Sequence, residues 1–325
     1  MPNAYPTTVT VNVGALSIED VVAVARYGAQ VEIAPEALEE VAATRERVEE
    51  LAQDPTPVYG ISTGFGALAR RHIPEEMRAQ LQLSLVRSHA AGTGPEVEEE
   101  VIRALMLLRL STLCTGRTGV RPVVVETYAK ALNAGIVPVV REYGSLGCSG
   151  DLAPLAHCAL ALLGEGEVRV NGELQDAGEA LAAAGIEPLQ LREKEGLALI
   201  NGTDGMLGQL CLAITDLRAA AKTADIATAM TVEGLLGTLV VFADDLQQLR
   251  PHPGQADAAA NILQVAEGSE ILEAALEEFK KNQVQDAYSV RCAPQVAGGF
   301  RDTLTHTAQV AERELAAAVD NPVVT

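Results

Sequence analysis

Tryptophan is absent from this 325-residue sequence, aromatic residues make up 3% of it, and 24 basic residues stand against 44 acidic ones. Each shortage excludes something. A core with so few aromatic rings has to be built from Ala, Leu and Val, which favours closely approaching helices. A formal net charge of -20, with no compensating Lys/Arg cluster, repels phosphate backbones and anionic lipid, so neither nucleic acid nor a membrane surface is an expected partner. The longest uncharged apolar windows, Leu152 to Gly164 and Gly234 to Ala243, are too short to span a bilayer. The 5 cysteines, at 114, 148, 158, 211 and 292, form an odd set without CxxC spacing and fit small buried hydrophobes in a reducing cytoplasm. The opening residues MPNAYPTTVTVNVG carry no basic stretch followed by an apolar one, so secretion is not expected.

What is present is a chain with 48% hydrophobic and 21% charged residues, enough for a large buried core in one domain or two. Near the start, TVTVNVG alternates like a strand, Ser17 is placed to cap a helix, VEIA reads as a second strand and Pro35 opens a helix through Leu51. The break DPTPVYG leads into ISTGFGALA, where Gly64 and Gly66 predict a loop of the kind that carries chemistry on a rigid scaffold. Beyond Pro74, three-to-four spacing predicts helices over 75–90, 95–114, 122–134, 151–163, 204–249, 255–280 and 295–318. The one clear interruption is GEVRVNGELQD, whose Asn171-Gly172 predicts a β-hairpin with a type I′ turn. The expected fold is mainly α: a long-helix bundle with a short β-hairpin. A small N-terminal α+β cap over 1–60 would lead into the Tyr59 loop and a single elongated helical body over 61–325.

The stretch GSLGCSGDLAPLAH, residues 144–157, is the densest in chemistry. A nucleophile elbow needs Gly-x-Ser-x-Gly, and here Ser149 is followed at once by Gly150 and Asp151. A dinucleotide loop needs a strand-helix-strand unit, which the surroundings of Gly144, Gly147 and Gly150 do not offer. Two readings stay open. One is a plain turn, with Asp151 capping a helix from Leu152. The other is chemical: the Gly150 nitrogen can approach the Cys148 carbonyl carbon while Ser149 loses its hydroxyl as water. The product would be a conjugated ring electrophile, a group that the twenty side chains do not supply.

This stretch resembles the signature of the aromatic amino-acid ammonia-lyases, in which an Ala-Ser-Gly triplet, here Cys148-Ser149-Gly150, cyclises to 4-methylideneimidazol-5-one (MIO). Further stretches resemble the same family in order: YGISTGFG at 59–66, SLVRSHAAGTG at 84–94, INGTDGM at 200–206, VQDAYSVRCAPQV at 284–296 and DNPVV at 320–324. Cys148 departs from the commoner alanine, but only its carbonyl carbon would enter the ring. The resemblance also implies that family members continue past the Asp-Asn-Pro motif with further helices and an active-site glutamate.

The roles that follow are those the resemblance implies. The Ser149-derived methylene would receive the substrate amine, and Tyr59 would take the β-proton as general base. Arg291 would clamp the substrate carboxylate in a planar fork, with Gln285 and Tyr288, spaced three apart with it, as supporting donors on one side of a helical turn. Asn201 would bond near the MIO ring and the substrate amine. The Ser88-His89 pair is similar to that of members acting on histidine, which places His89 near the substrate imidazole and implies release of ammonia from L-histidine to give trans-urocanate. His157 reads as core and His252 as a helix-terminus turn residue, and neither has metal-ligand spacing, so no metal is expected. The resemblance further implies a cytoplasmic homotetramer that builds each site from several subunits. Two rivals remain: a lyase or 2,3-aminomutase acting on tyrosine, and a helical assembly unit without catalysis.

Overall fold

The computed structural model describes residues 5–147, 150–282 and 284–325. The fold is mainly α and forms two compact units, Met1–Leu212 with Ala311–Thr325, and Ala213–Val310.

The first unit opens with β1 (Thr8–Val11) and β2 (Gln30–Ile33), paired in parallel with Val9 opposite Val31. Parallel strands need a crossover, and α1 (Ile18–Tyr27) supplies it. The Ser17 hydroxyl accepts from the Asp20 N–H while the Asp20 carboxylate accepts from the Ser17 N–H, a capping box that starts α1 where the sequence predicts. Next come α2 (Pro35–Gln53), α3 (Glu75–His89), β3 (Thr93–Glu96), α4 (Glu99–Cys114), α5 (Pro122–Asn133), β4 (Ile136–Pro138) and β5 (Arg141–Tyr143). They are followed by α6 (Leu152–Leu162), β6 (Glu167–Val170), β7 (Glu173–Asp176), α7 (Ala177–Ala183), α8 (Glu195–Ile200) and α9 (Asp204–Gly234). Helix α4 is the hub: every residue from Ala104 to Cys114 is buried, and α1, α2 and α5 pack around it.

The expected helix over 95–114 starts only at Glu99, because Gly94 (φ 93°) and Pro95 lie in β3, which pairs with β5. Short helices α7 and α8 lie between stretches too brief to show helical periodicity. The predicted hairpin forms: Asn171 (φ 53°) and Gly172 (φ 81°) both sit in the left-handed region that a type I′ turn requires. β4 adds to β6 and makes the hairpin a three-stranded sheet.

In the second unit the expected helix over 204–249 stops at Gly234. Leu236 adopts φ 54°, the Gly237 N–H closes on the Val232 carbonyl, and a turn of 3-10 helix leads into α10 (Asp244–Gln248). The expected helix over 255–280 is two, α11 (Pro253–Val265) and α12 (Glu270–Asn282), parted at Gly268 with φ 74°. α13 (Tyr288–Arg291) and α14 (Ala293–Leu315) complete the unit, α14 in place of the expected 295–318. Val232, Phe242, Ala259, Ile262, Leu272 and Val290 form its core. The run from Glu195 to Gly234 is long and apolar enough by length and composition to cross a membrane, which the shorter apolar windows of the sequence do not reveal. That run is broken after Ile200, and 56% of its most apolar window is buried, as in a packed core helix.

Leu110 of α4 is 0% exposed. Leu110→Ala is expected to lower unfolding stability by roughly 2–5 kcal/mol, read as a shift in the urea midpoint.

Candidate functional site

The stretch Glu193-Lys194-Glu195 looks like an exposed charge run in sequence, yet each of its charges finds a distant partner. Arg45 of α2 reaches Glu193, with Nη2 to Oε2 at 3.5 Å and Nη1 donating to the backbone carbonyl at 2.9 Å. Lys194, with φ 66°, donates from Nζ to Asp320 Oδ2 at 2.6 Å and to the Thr118 carbonyl at 2.8 Å; neither side chain of the pair is exposed. Glu195, also 0% exposed, takes Arg121 through Nε and Nη2, both at 2.8 Å. Three ion pairs therefore pin the start of α8, whose six residues are all buried, and deliver Asn201 at its other end.

At Asn201 the chain turns. Its Nδ2 donates to Asp320 Oδ1 at 3.3 Å and to the Asn321 carbonyl at 2.9 Å. Arg109, 0% exposed in α4, ties the same two segments by backbone, donating to the Asn201 carbonyl at 2.8 Å and the Val319 carbonyl at 3.2 Å. Asp204 lies 3.5 Å from Arg109 Nη1; burial pushes its carboxyl above the usual range against the pull of that cation.

Gly150 packs against this turn. It adopts φ 93°, a Cβ there would stand 2.9 Å from the Gly202 carbonyl oxygen, and the Asp151 N–H donates to that oxygen at 2.7 Å. Only glycine fits. Asp151 precedes α6 as expected, but its carboxylate does not cap the helix. Instead it accepts from Ser145 Oγ at 2.6 Å and from the Met206 N–H at 3.0 Å, joining the glycine-rich segment to the start of α9. Cys148 and Ser149 lie outside the described residues.

Tyr59 sits half-buried in a loop closed by the Ile61, Ser62 and Thr63 N–H groups on the Val58 carbonyl. Its hydroxyl accepts from the Gly66 N–H at 3.4 Å, and its ring meets Phe65 edge to face at 6.2 Å. Gly60 (φ 73°) lets the loop approach α8, since a Cβ there would meet Leu197 at 2.9 Å. His89 ends α3, and its Nδ1 lies 2.9 Å from the Leu85 carbonyl. Nδ1 also lies 3.0 Å from the Ser88 hydroxyl, so both of its neighbours come from the last turn of α3. The segment beyond His89 is anchored by His157 of α6, whose Nε2 accepts from the Gly92 N–H at 3.1 Å. Burial, aided by Arg141, holds the His157 pKa below its ordinary value.

In the second unit, Tyr288 and Arg291 come together: the guanidinium lies 4.4 Å from the ring centroid, and Nε donates to the Asp286 carbonyl at 2.9 Å. The Asp286 carboxylate in turn accepts from the Thr238 N–H at 2.9 Å. Gln285 is exposed and precedes α13, so the expected three-residue periodicity holds only from Tyr288 to Arg291; α13 begins too late to include it. Burial pushes the thiols of Cys114 and Cys211 up to about 12 and that of Cys158 higher still, which removes them as nucleophiles. His252 stands at the N-terminal end of α11 as expected.

Sequence reasoning missed Arg109, Lys194, Asp204 and Asp320 as parts of this site and read Asp151 as a cap. One signal was available: Arg109 is a lone cation within the apolar run LMLLRLSTL, and a charge in such a helix has to be paired.

Residues 16–325 match the family model described as aromatic amino acid lyase. A histidine ammonia-lyase of Streptomyces coelicolor is 61% identical over 318 residues, 98% of this chain and 62% of that protein. A crystal structure of tyrosine aminomutase from Streptomyces globisporus superposes with a TM-score of 0.90 at 40% identity, covering 98% of this chain and 63% of the other. One of histidine ammonia-lyase from Trypanosoma cruzi gives a TM-score of 0.87 at 37% identity, covering 98% and 58%. The chain thus spans about 62% of the length of the curated relative.

The lowered pKa of His157 has a consequence for stability. The unfolded chain takes up a proton near the ordinary value of 6.5 while the folded imidazole resists it, so this contribution is present above that pH and is lost as pH falls. Thermal unfolding followed from about pH 7.5 to about 5.5 is expected to show a declining midpoint, with a shallower decline in His157→Gln, which keeps an acceptor but does not titrate.

Proposed function

The chain belongs to the aromatic amino acid lyase family, and from that premise we propose that it is the larger part of a histidine ammonia-lyase, which eliminates ammonia from L-histidine to give trans-urocanate. The observation that carries the reading is the convergence of Gly150 on the Asn201-Gly202 turn, at a position where no side chain fits. That tight backing suits a triplet whose glycine nitrogen has to close a ring, so the residues present fit an MIO group formed from Cys148, Ser149 and Gly150. When formed, the group supplies the electrophilic carbon that activates the amine as a leaving group.

The remaining work falls to this chain's own side chains. Tyr59, its hydroxyl met by the Gly66 N–H, removes the β-proton as general base. Arg291, steadied by Tyr288 and by the Asp286 carbonyl, offers its terminal nitrogens to the substrate carboxylate, with Gln285 as a further donor. Asn201 receives the substrate ammonium. His89 stands near the substrate imidazole, the role that the Ser88-His89 pair has in the resemblance to members acting on histidine. The strong likeness to a tyrosine aminomutase structure keeps action on tyrosine as the second reading.

The wider assembly is part of the proposal. Leu249 is 81% exposed, Val296 75% and Met230 66%, apolar surface that suits a cytoplasmic homo-oligomer, a tetramer as in the family. A catalytically silent assembly unit has the same surface, and chemistry separates it from an enzyme.

The intact mass of the protein is expected to fall two water molecules short of its sequence, and Ser149→Ala to restore the full mass. Turnover by the full-length protein is expected with L-histidine at a kcat/KM well above that with L-tyrosine. A full mass in the wild type rules out the MIO reading, and a preference for tyrosine removes the proposed role of His89.

A further inference from the structure

The orientation of the Asn201 carboxamide follows from what surrounds it. Its two neighbours on one side, Asp320 Oδ1 at 3.3 Å and the Asn321 carbonyl at 2.9 Å, are both acceptors, so Nδ2 has to face them and both of its hydrogens are engaged. Oδ1 is then the atom that this side chain can offer to a ligand. Asp320 is itself held. Its second oxygen lies 2.6 Å from Lys194 Nζ, both side chains are fully buried, and Nζ is fixed further by the Thr118 carbonyl at 2.8 Å. The Asn321 N–H donates to Asp320 Oδ1 at 2.7 Å, so the carboxylate also shapes the backbone that supplies the other acceptor.

We infer that Lys194 and Asp320 are positioning residues of the site, holding Asn201 so that its carboxamide oxygen, and not its N–H, faces the amino group of the substrate. The inference rests on the proposed ammonia-lyase reading. It assigns a purpose to a costly arrangement, since burying a cation and an anion together stabilises little on balance. An oxygen turned to the substrate accepts from an ammonium; an N–H in its place would oppose one. Were Asp320 neutralised to an amide, its oxygen would turn to Lys194 and its N–H to residue 201. Asn201 would then flip to meet a donor and lose the Asn321 carbonyl.

The test uses the full-length protein and L-histidine. Asp320→Asn is expected to lower kcat roughly a hundredfold, the scale of a misoriented reacting group, with KM changed less than about threefold. A crystal structure of Asp320→Asn is expected to show the residue 201 carboxamide off the Asn321 carbonyl. A folded Asp320→Asn that keeps kcat within about threefold of wild type overturns the inference, as does a carboxamide left in place. If Asp320→Asn does not fold, Asp320→Glu carries the test: it keeps the charge but moves the oxygens, and an unchanged kcat is then fatal. A wild type that leaves L-histidine untouched sinks the lyase reading, whereas the crystallographic result judges the positioning without any turnover.

Discussion

Arg109 and Lys194 carry their charges on side chains with no exposed surface, where a lone cation costs several kcal/mol. Each is compensated by an anion from elsewhere in the chain, Asp204 and Asp320 respectively, and by backbone carbonyls. That need to be compensated draws α4, α8, the start of α9 and the segment 319–321 to one place. Asn201 and Gly202 lie at their meeting point, and Gly150 backs directly onto it. The geometry of the candidate site in the first unit thus depends on how these buried charges are neutralised.

What could be read from the sequence divides along the same line. The capping box at Ser17, the type I′ turn at Asn171-Gly172 and the helical spans of α3 and α5 rest on neighbours within a few residues, and they stand where local pattern puts them. The Tyr59 loop was visible in Gly64 and Gly66 for the same reason. The ion pairs were not, because Glu193, Lys194 and Glu195 meet partners 148, 126 and 74 residues away. Locally those three charges look like a solvated face. Asp151 shows how the two levels compete: its position before α6 is that of a cap, while its carboxylate is claimed by Ser145 and Met206.

Helix ends in the second unit were misjudged for a different reason. The sequence through Leu235 and Leu236 keeps its apolar spacing, so nothing in the periodicity marks a stop, yet the backbone reverses there through a leucine at φ 54°. Non-glycine residues reach that region only where surrounding structure compels them. The same unit holds Arg291 by local means, through a ring of its own helix and a carbonyl five residues back. Arg291 is therefore held without a buried charge network, in contrast with Asn201 in the first unit.

The Lys194 and Asp320 pair has a consequence for descent. Neutralising either residue alone strands the other as an uncompensated buried charge, at a cost of about 3–5 kcal/mol, a large share of what holds a typical domain folded. The two positions, 126 residues apart, cannot drift separately; a lineage must change both together or neither. Each is in effect the other's inheritance.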